Sequence, residues 1–256
     1  MRYHRDVDLN SWYLKLEARH LRDRSFSEVR RSLQALSIAY VQRGGRERRA
    51  TQGAGKRAAF ALFYGTLHLV ITRHVVAELG ANRRRPRRIV DLGCGTGVVS
   101  AAWSLAFASP PPVTGVDLSP WAIDETRWVW RELGLKGSPK RGNVVGASLQ
   151  DGDAVVLGWT VNEIDDDARK TLLENLLSGS RGPILILEPI SRRLVPWWRE
   201  WQARFEERGG RSDEWKFRTE LPERLRLLDR AAGLDHQQLT ARTLYLPAQR
   251  PRTSSP

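Results

Sequence analysis

A single cysteine, Cys94, is all the thiol chemistry this 256-residue chain possesses. One thiol excludes a disulfide framework, a Cys-based structural zinc site and a cluster held by several protein thiolates. Acids are also short. There are 29 Asp and Glu against 42 Lys and Arg, a formal net charge of +13, and the sequence pI is about 10.7. Such an excess biases the protein toward phosphate-rich partners, the alternative being arginines spread over solvated faces. "MRYHRDVDLN" has neither the apolar core nor the small-residue cleavage site of a secretory signal. No uncharged apolar run reaches the roughly 20 residues that a bilayer requires. The most apolar segment, residues 58–79, is interrupted by Arg73 and His74. It reads as a buried helix, and the protein as cytoplasmic with no membrane partner. Internal repeats are lacking too.

What is present suits one α/β domain with a helical appendage: hydrophobic residues make up 41% of the chain, a globular proportion. Residues 1–82 form an N-terminal helical region, with Leu14, Leu21, Val29, Leu33, Leu36 and Tyr40 as the apolar positions of 11–42. A basic linker at 43–57, "RGGRERRATQGAGKR", interrupts it. Its "GAGK" lacks the glycine spacing of a phosphate loop, and Arg57 stands where Ser or Thr should follow the lysine. Across 83–247 strand and helix patterns alternate. Strands are expected at 88–92, 113–117, 153–158 and 183–188, a weaker one near 142–145, and another in "LTARTLYLP". Helices are expected at 97–107, 120–133, 166–178, 194–208 and 222–232, the second of them opened by Ser119 as N-cap and Pro120 at the first turn. Residues 248–256 read as a disordered tail. The alternation implies an α/β, doubly wound, mostly parallel sheet whose ligands bind at the carboxyl ends of the strands.

"IVDLGCGTGVVS", residues 89–100, places Gly93, Gly95 and Gly97 where such a strand turns into a helix. Glycines there let a nucleotide-like ligand approach bare backbone. The next strand, "PVTGVDLS", ends in Asp117, a carboxylate placed to accept the hydroxyls of an unmodified ribose. "VDLGCGTG" together with "GVDLS" resembles the class I S-adenosylmethionine-dependent methyltransferases, over residues 85–247. The resemblance implies a Rossmann-like methyltransferase fold with S-adenosyl-L-methionine as cofactor. Asp91, Gly93, Cys94, Gly95 and Gly97 would then surround its methionine and ribose portions. Asp117 would hold the ribose hydroxyls, Leu118 would pack on the adenine, and Asn143 stands where the family often has an acid near the adenine amino group.

Methyl transfer from a sulfonium is an in-line displacement, so the acceptor must be positioned and, where required, deprotonated. The strand-four region, "DAVVLGWTVNEIDD", lacks the family's Asn/Asp-Pro-Pro-aromatic motif, which argues against N-methylation of adenine or cytosine. Cytosine C5 methylation is excluded, because the only cysteine lies in the glycine loop. Trp159 can cover the cofactor or stack on a planar substrate. Asn162 can bond a substrate or order its own loop, and Glu163 can act as base or cap the following helix. Glu188 is the acid at the tip of strand five. Beyond it Arg192, Arg193 and Trp198 suit contacts with phosphates and bases, while the spacing of Trp197, Trp201 and Phe205 suits core packing. Trp121, Trp128 and Trp130 read as packing residues, and His68 and His74 have no partners at metal spacing.

"GWTVNEI" followed by "ILILEPISRR" is similar to the mitochondrial-ribosome small-subunit assembly methyltransferase-like family. Eukaryotic members carry a cysteine cluster that this chain cannot supply. The likeness implies rRNA or the small ribosomal subunit as partner, in agreement with the charge. The expected function is methyl transfer with RNA or a ribonucleoprotein as leading substrate. A small-molecule acceptor and a non-catalytic, cofactor-binding assembly factor are the alternatives. Acceptor atom and oligomeric state are not legible.

Overall fold

The computed structural model describes residues 7–43, 52–179 and 181–249. The basic linker expected at 43–57 and the tail expected at 248–256 lie mostly outside them. Seven strands form one sheet: β1 Ile89–Leu92, β2 Val113–Asp117, β3 Gly137–Arg141, β4 Ala154–Gly158, β5 Ile184–Glu188, β6 Arg211–Phe217 and β7 Leu239–Leu246. Their order is β3-β2-β1-β4-β5-β7-β6. Ladders β3 to β5 are parallel, and β7 runs antiparallel to both β5 and β6. The order therefore reverses between β1 and β4, which opens a crevice at their carboxyl ends.

Continuous apolar runs produce the central strands, as expected of strands covered on both faces. β1, β4 and β5 are buried at nearly every position. Two strands depart from expectation. β3 occupies 137–141, upstream of the expected 142–145. Its "GSPKR" is a short polar edge strand with four of five residues exposed, so it carries no apolar signal. β6, "RSDEWKF", was not expected, and its exposed positions alternate at the opposite edge.

Helices cover both faces. On one lie α5 Val98–Leu105 and α6 Pro120–Glu132; on the other lie α7 Asp166–Gly179 and α8 Trp198–Glu206. α9 Glu223–Ala231 precedes β7 and joins the first face. The N-terminal region adds α1 Leu9–His20, α2 Phe26–Arg43, and a helix running from 54 to 79 as α3 Ala54–Ala59, a π-helical turn Phe60–Gly65 and α4 Thr66–Leu79. That last run is long and apolar enough to cross a membrane by composition, yet 72% of its most apolar window is buried inside the protein. It serves as a core helix packed on α5. α1 is fastened to α6 through buried Glu125, which accepts from Arg19 Nε at 3.0 Å and lies 2.8 Å from His20 Nε2.

Candidate cofactor and acceptor site

The three glycines of the β1–α5 loop all have positive φ, at 77°, 52° and 74° for Gly93, Gly95 and Gly97. Their surroundings differ. A Cβ on Gly93 would collide with Thr160, whose hydroxyl donates to Gly93 O at 3.2 Å. A Cβ on Gly97 would lie 2.8 Å from Thr126 Cγ2 and 2.9 Å from Trp130 Nε1. Packing thus requires glycine at both ends of the loop. At Gly95 a Cβ would meet only Gly93 O, 4.0 Å away. The backbone is bare there toward open space, the condition for close approach of a ligand.

Two acids flank this bare backbone. Asp117 accepts from Gly95 N at 3.0 Å and from Ser119 N at 2.8 Å, so its carboxylate is oriented by the loop it borders. Burial raises its pKa, against those backbone donors. Asp91 is 1% exposed; its Oδ2 accepts from Ser100 Oγ at 2.6 Å and from Ser100 N at 3.3 Å. Burial lifts Asp91 to about 7, despite the lowering effect of Ser100. Leu118, next in the chain, is 53% exposed, a bare apolar surface beside the carboxylate. Asn143 is exposed and accepts from Val145 N at 3.1 Å, capping a short turn after β3. Cys94 is buried against Thr126 Oγ1 at 3.4 Å. Burial pushes its thiol up, so it is a packing group and not a nucleophile.

The β4 end is held from below. Glu188 has 0% exposure and accepts from Val161 N at 2.9 Å, which fixes the turn Val161–Glu163. Burial lifts Glu188 to about 8, against the Val161 bond. Enclosed at the strand tip, the Glu188 carboxyl anchors this loop through Val161 N. Arg169, 5% exposed, donates Nε to Val161 O at 3.3 Å and completes the clamp. Asn162 accepts from Trp197 Nε1 at 3.1 Å, so its carboxamide orders the loop. Glu163 is exposed at the end of that turn. Trp197, Trp201 and Phe205 are buried in the α8 face. Trp198, expected to face outward, is 5% exposed. The reason is Arg242 of β7, whose guanidinium lies 4.8 Å over the Trp198 ring. Arg192 and Arg193 are exposed.

Sequence reasoning missed the other wall. Gly65, inside the π-helical turn, packs on the glycine loop: a Cβ there would lie 3.2 Å from Thr96 Oγ1. π turns recur at functional sites, and this one sets partly buried Phe60, Tyr64 and His68 in a row at four-residue intervals. At one end Phe60 meets Trp121 edge-on at 6.2 Å. At the other, His68 stacks on Trp159 at 3.6 Å with an interplanar angle of 2°. Trp159 has φ 54°, the only positive φ outside glycine among the described residues. For a bulky side chain such a backbone costs about 1–3 kcal/mol and marks functional loops. Burial pushes His68 down to about 3, so its imidazole is neutral near pH 7. The signal in sequence was the i, i+4, i+8 spacing, concealed because Phe60, Tyr64 and His68 sit in an apolar helix.

Seven strands in this order, a glycine turn after β1 and an acid ending β2 define a Rossmann-like methyltransferase fold. Residues 89–179 match the family profile described as "Methyltransferase domain". That segment is a methyltransferase domain, set within a sheet of the Rossmann-like methyltransferase fold. Among solved structures, mitomycin 7-O-methyltransferase MmcR matches at 15% identity and a TM-score of 0.52, covering 94% of this chain and 74% of that one. Magnesium protoporphyrin IX methyltransferase from Synechocystis PCC 6803, with bound S-adenosylhomocysteine, matches at 12% identity and a TM-score of 0.50, covering 86% and 97%. These likenesses establish the fold. No curated protein matches the chain.

The residues fit S-adenosylmethionine: open space above Gly95, a part-buried carboxylate at Asp117 and a buried one at Asp91. Asp91 would meet the ammonium of the methionine portion only when ionised. Its raised pKa means that the free protein holds the proton up to about pH 7. Ionisation therefore costs most at low pH, and cofactor affinity should rise from pH 5.5 to 7 by about tenfold before levelling off. Titration calorimetry with S-adenosylhomocysteine in buffers of different ionisation enthalpy checks this. Near pH 6 most binding events should release a proton, and release should vanish in Asp91→Asn.

Proposed function

We propose that this methyltransferase acts on RNA or a ribonucleoprotein, the small ribosomal subunit being the partner that the charge and the resemblance favour. One observation carries the reading: exposed cations end the strands on the side where the glycine loop lies, and an aromatic row with Arg57 over it lines the same loop. Lys140 and Arg141 close β3, Arg192 and Arg193 follow β5, and Arg218 follows β6, all exposed. The aromatic row joins Trp121, Phe60, Tyr64, His68 and Trp159, and its cation contact is the Arg57 guanidinium, 5.8 Å over the Trp121 ring. Phosphates are drawn to such cations, while unpaired bases stack on such rings. The cofactor supplies an electrophilic methyl group. The chain's own residues orient the acceptor in line with it and exclude water. A cytoplasmic location accords with this reading.

A small planar acceptor is the second reading, favoured by the close packing of Gly65 on Thr96, which brings the N-terminal helix over the loop. Methyl-labelled S-adenosylmethionine separates the two. The protein is incubated with extract from cells lacking its gene, and label is counted in RNA, protein and small-molecule fractions. Label in RNA, lost with Asp117→Ala, is expected. Label confined to the small-molecule fraction replaces the first reading with the second.

A further inference from the structure

We propose that His68 is the specificity-determining residue of the acceptor site: it receives an unstacked nucleobase against the Phe60–Tyr64–His68–Trp159 face and holds the polar edge of that base by a hydrogen bond. The nucleobase rests on the RNA reading above; the role of His68 rests on geometry. The imidazole lies flat on Trp159 at 3.6 Å, and its ring centroid is 6.3 Å from those of both Phe60 and Tyr64. Packing alone would be served better by phenylalanine. Among the described residues neither imidazole nitrogen has a protein hydrogen-bond partner, and neither is sealed from solvent, so both are open to an incoming group. A polar edge set in an aromatic row and left open in this way is placed to bond a ligand that enters there, in exchange for water.

The position agrees. Trp159 directly follows β4, beside the crevice where the strand order reverses, and its positive φ of 54° turns it toward the helix that bears His68. The Gly65 contact with Thr96 fixes that helix on the glycine loop, so His68 and the cofactor backbone form one rigid wall. Tyr64 is braced by Ser37, with 3.1 Å between their hydroxyl oxygens. The imidazole is neutral, and it can therefore either donate or accept by choice of tautomer. With its pKa pushed down to about 3, the neutral imidazole is a weak base and a poor proton acceptor. The role is hydrogen-bonded positioning, and the proton leaves by water.

Three variants test it: His68→Phe, which keeps the stack, His68→Gln, which keeps a donor and acceptor, and His68→Ala. Three quantities are measured. They are kcat/KM for label transfer to the RNA fraction, affinity for S-adenosylhomocysteine by calorimetry, and affinity for a fluorescein-labelled unstructured RNA 12-mer by anisotropy. In His68→Phe, both affinities should stay within about twofold while kcat/KM falls about 30-fold, the factor expected for one unpaired polar group. His68→Gln should recover most of that loss, and His68→Ala should fall furthest. The ratio of wild type to His68→Phe should be flat from pH 6 to 8.5. Transfer by His68→Phe within threefold of wild type overturns the assignment, as does a ratio that climbs with pH, which would make His68 a base. Label entering only the small-molecule fraction defeats the RNA reading and the nucleobase with it. RNA labelled equally by wild type and His68→Phe defeats the role of His68 alone.

Discussion

Replacing Asp117 with alanine should weaken S-adenosylhomocysteine binding by about 100- to 10,000-fold, because two hydrogen bonds to a charged acceptor contribute roughly 1.5–3 kcal/mol each. The carboxylate ends β2 and borders the open space above Gly95, so it is placed to take both hydroxyls of a ribose. It also organises the protein. Gly95 N and Ser119 N both donate to it, at 3.0 and 2.8 Å. Alanine leaves those donors to solvent at a half-buried position, so a slacker loop adds to the loss. Asp117→Asn, which retains one acceptor oxygen, should fall between wild type and alanine. Calorimetry gives the affinities, and thermal unfolding without ligand separates the two contributions. A melting temperature near that of wild type, with binding lost, assigns the effect to the ribose contact. Retained nanomolar or micromolar affinity in the alanine variant would remove Asp117 from the cofactor site.

Trp130→Ala should cost about 3–5 kcal/mol of stability, the range for removing a buried aromatic side chain. For a domain of this size that corresponds to a fall of about 6–20 °C in melting temperature. The indole is 1% exposed and lies between α6 and the sheet. Its Nε1 donates to Gly97 O at 2.9 Å, so the side chain that fills the core also holds the cofactor loop. Trp130→Phe keeps most of the volume and loses the donor. It should cost about 1 kcal/mol in stability and a larger share in cofactor affinity. Differential scanning calorimetry with and without S-adenosylhomocysteine reads both. Equal losses in stability and affinity for Trp130→Phe would mean that the Gly97 bond has no separate effect on the site.

Much of this was legible in the sequence because the physics involved is local. Gly93, Gly95 and Gly97 stand out since only glycine adopts positive φ without strain, and Asp117 was fixed by its place at the end of an apolar run. Helix α6 announced itself with Ser119 and Pro120, and Ser119 Oγ does accept from Ala122 N, at 3.4 Å. What was hidden depended on chain segments far apart. Trp198 sits on a helix face that reads as exposed until Arg242, from β7, is laid over it. Glu188 reads as an acid open at a strand tip, and its burial and its bond to Val161 N come from a turn 27 residues upstream. β3 and β6 are edge strands whose polar residues carry no apolar rhythm. The aromatic wall was hidden most thoroughly, because a π turn is set by how the helix meets the loop and by no residue type of its own.

The indole of Trp130 has one further consequence, in evolutionary terms. A Cβ on Gly137, in the outermost strand of the sheet, would collide with that ring, and a Cβ on Gly115 would lie 3.0 Å from it. Two glycines with no view of the ligand are therefore bound to the same indole that grips the cofactor loop. Drift at the rim of this fold is not free: a larger residue at 137 needs room from both Trp130 and Val113, and a smaller residue at 130 loosens the loop. Positions 115, 130 and 137 form a single inheritable unit, and a lineage that altered it would be expected to lose the cofactor before it lost the fold.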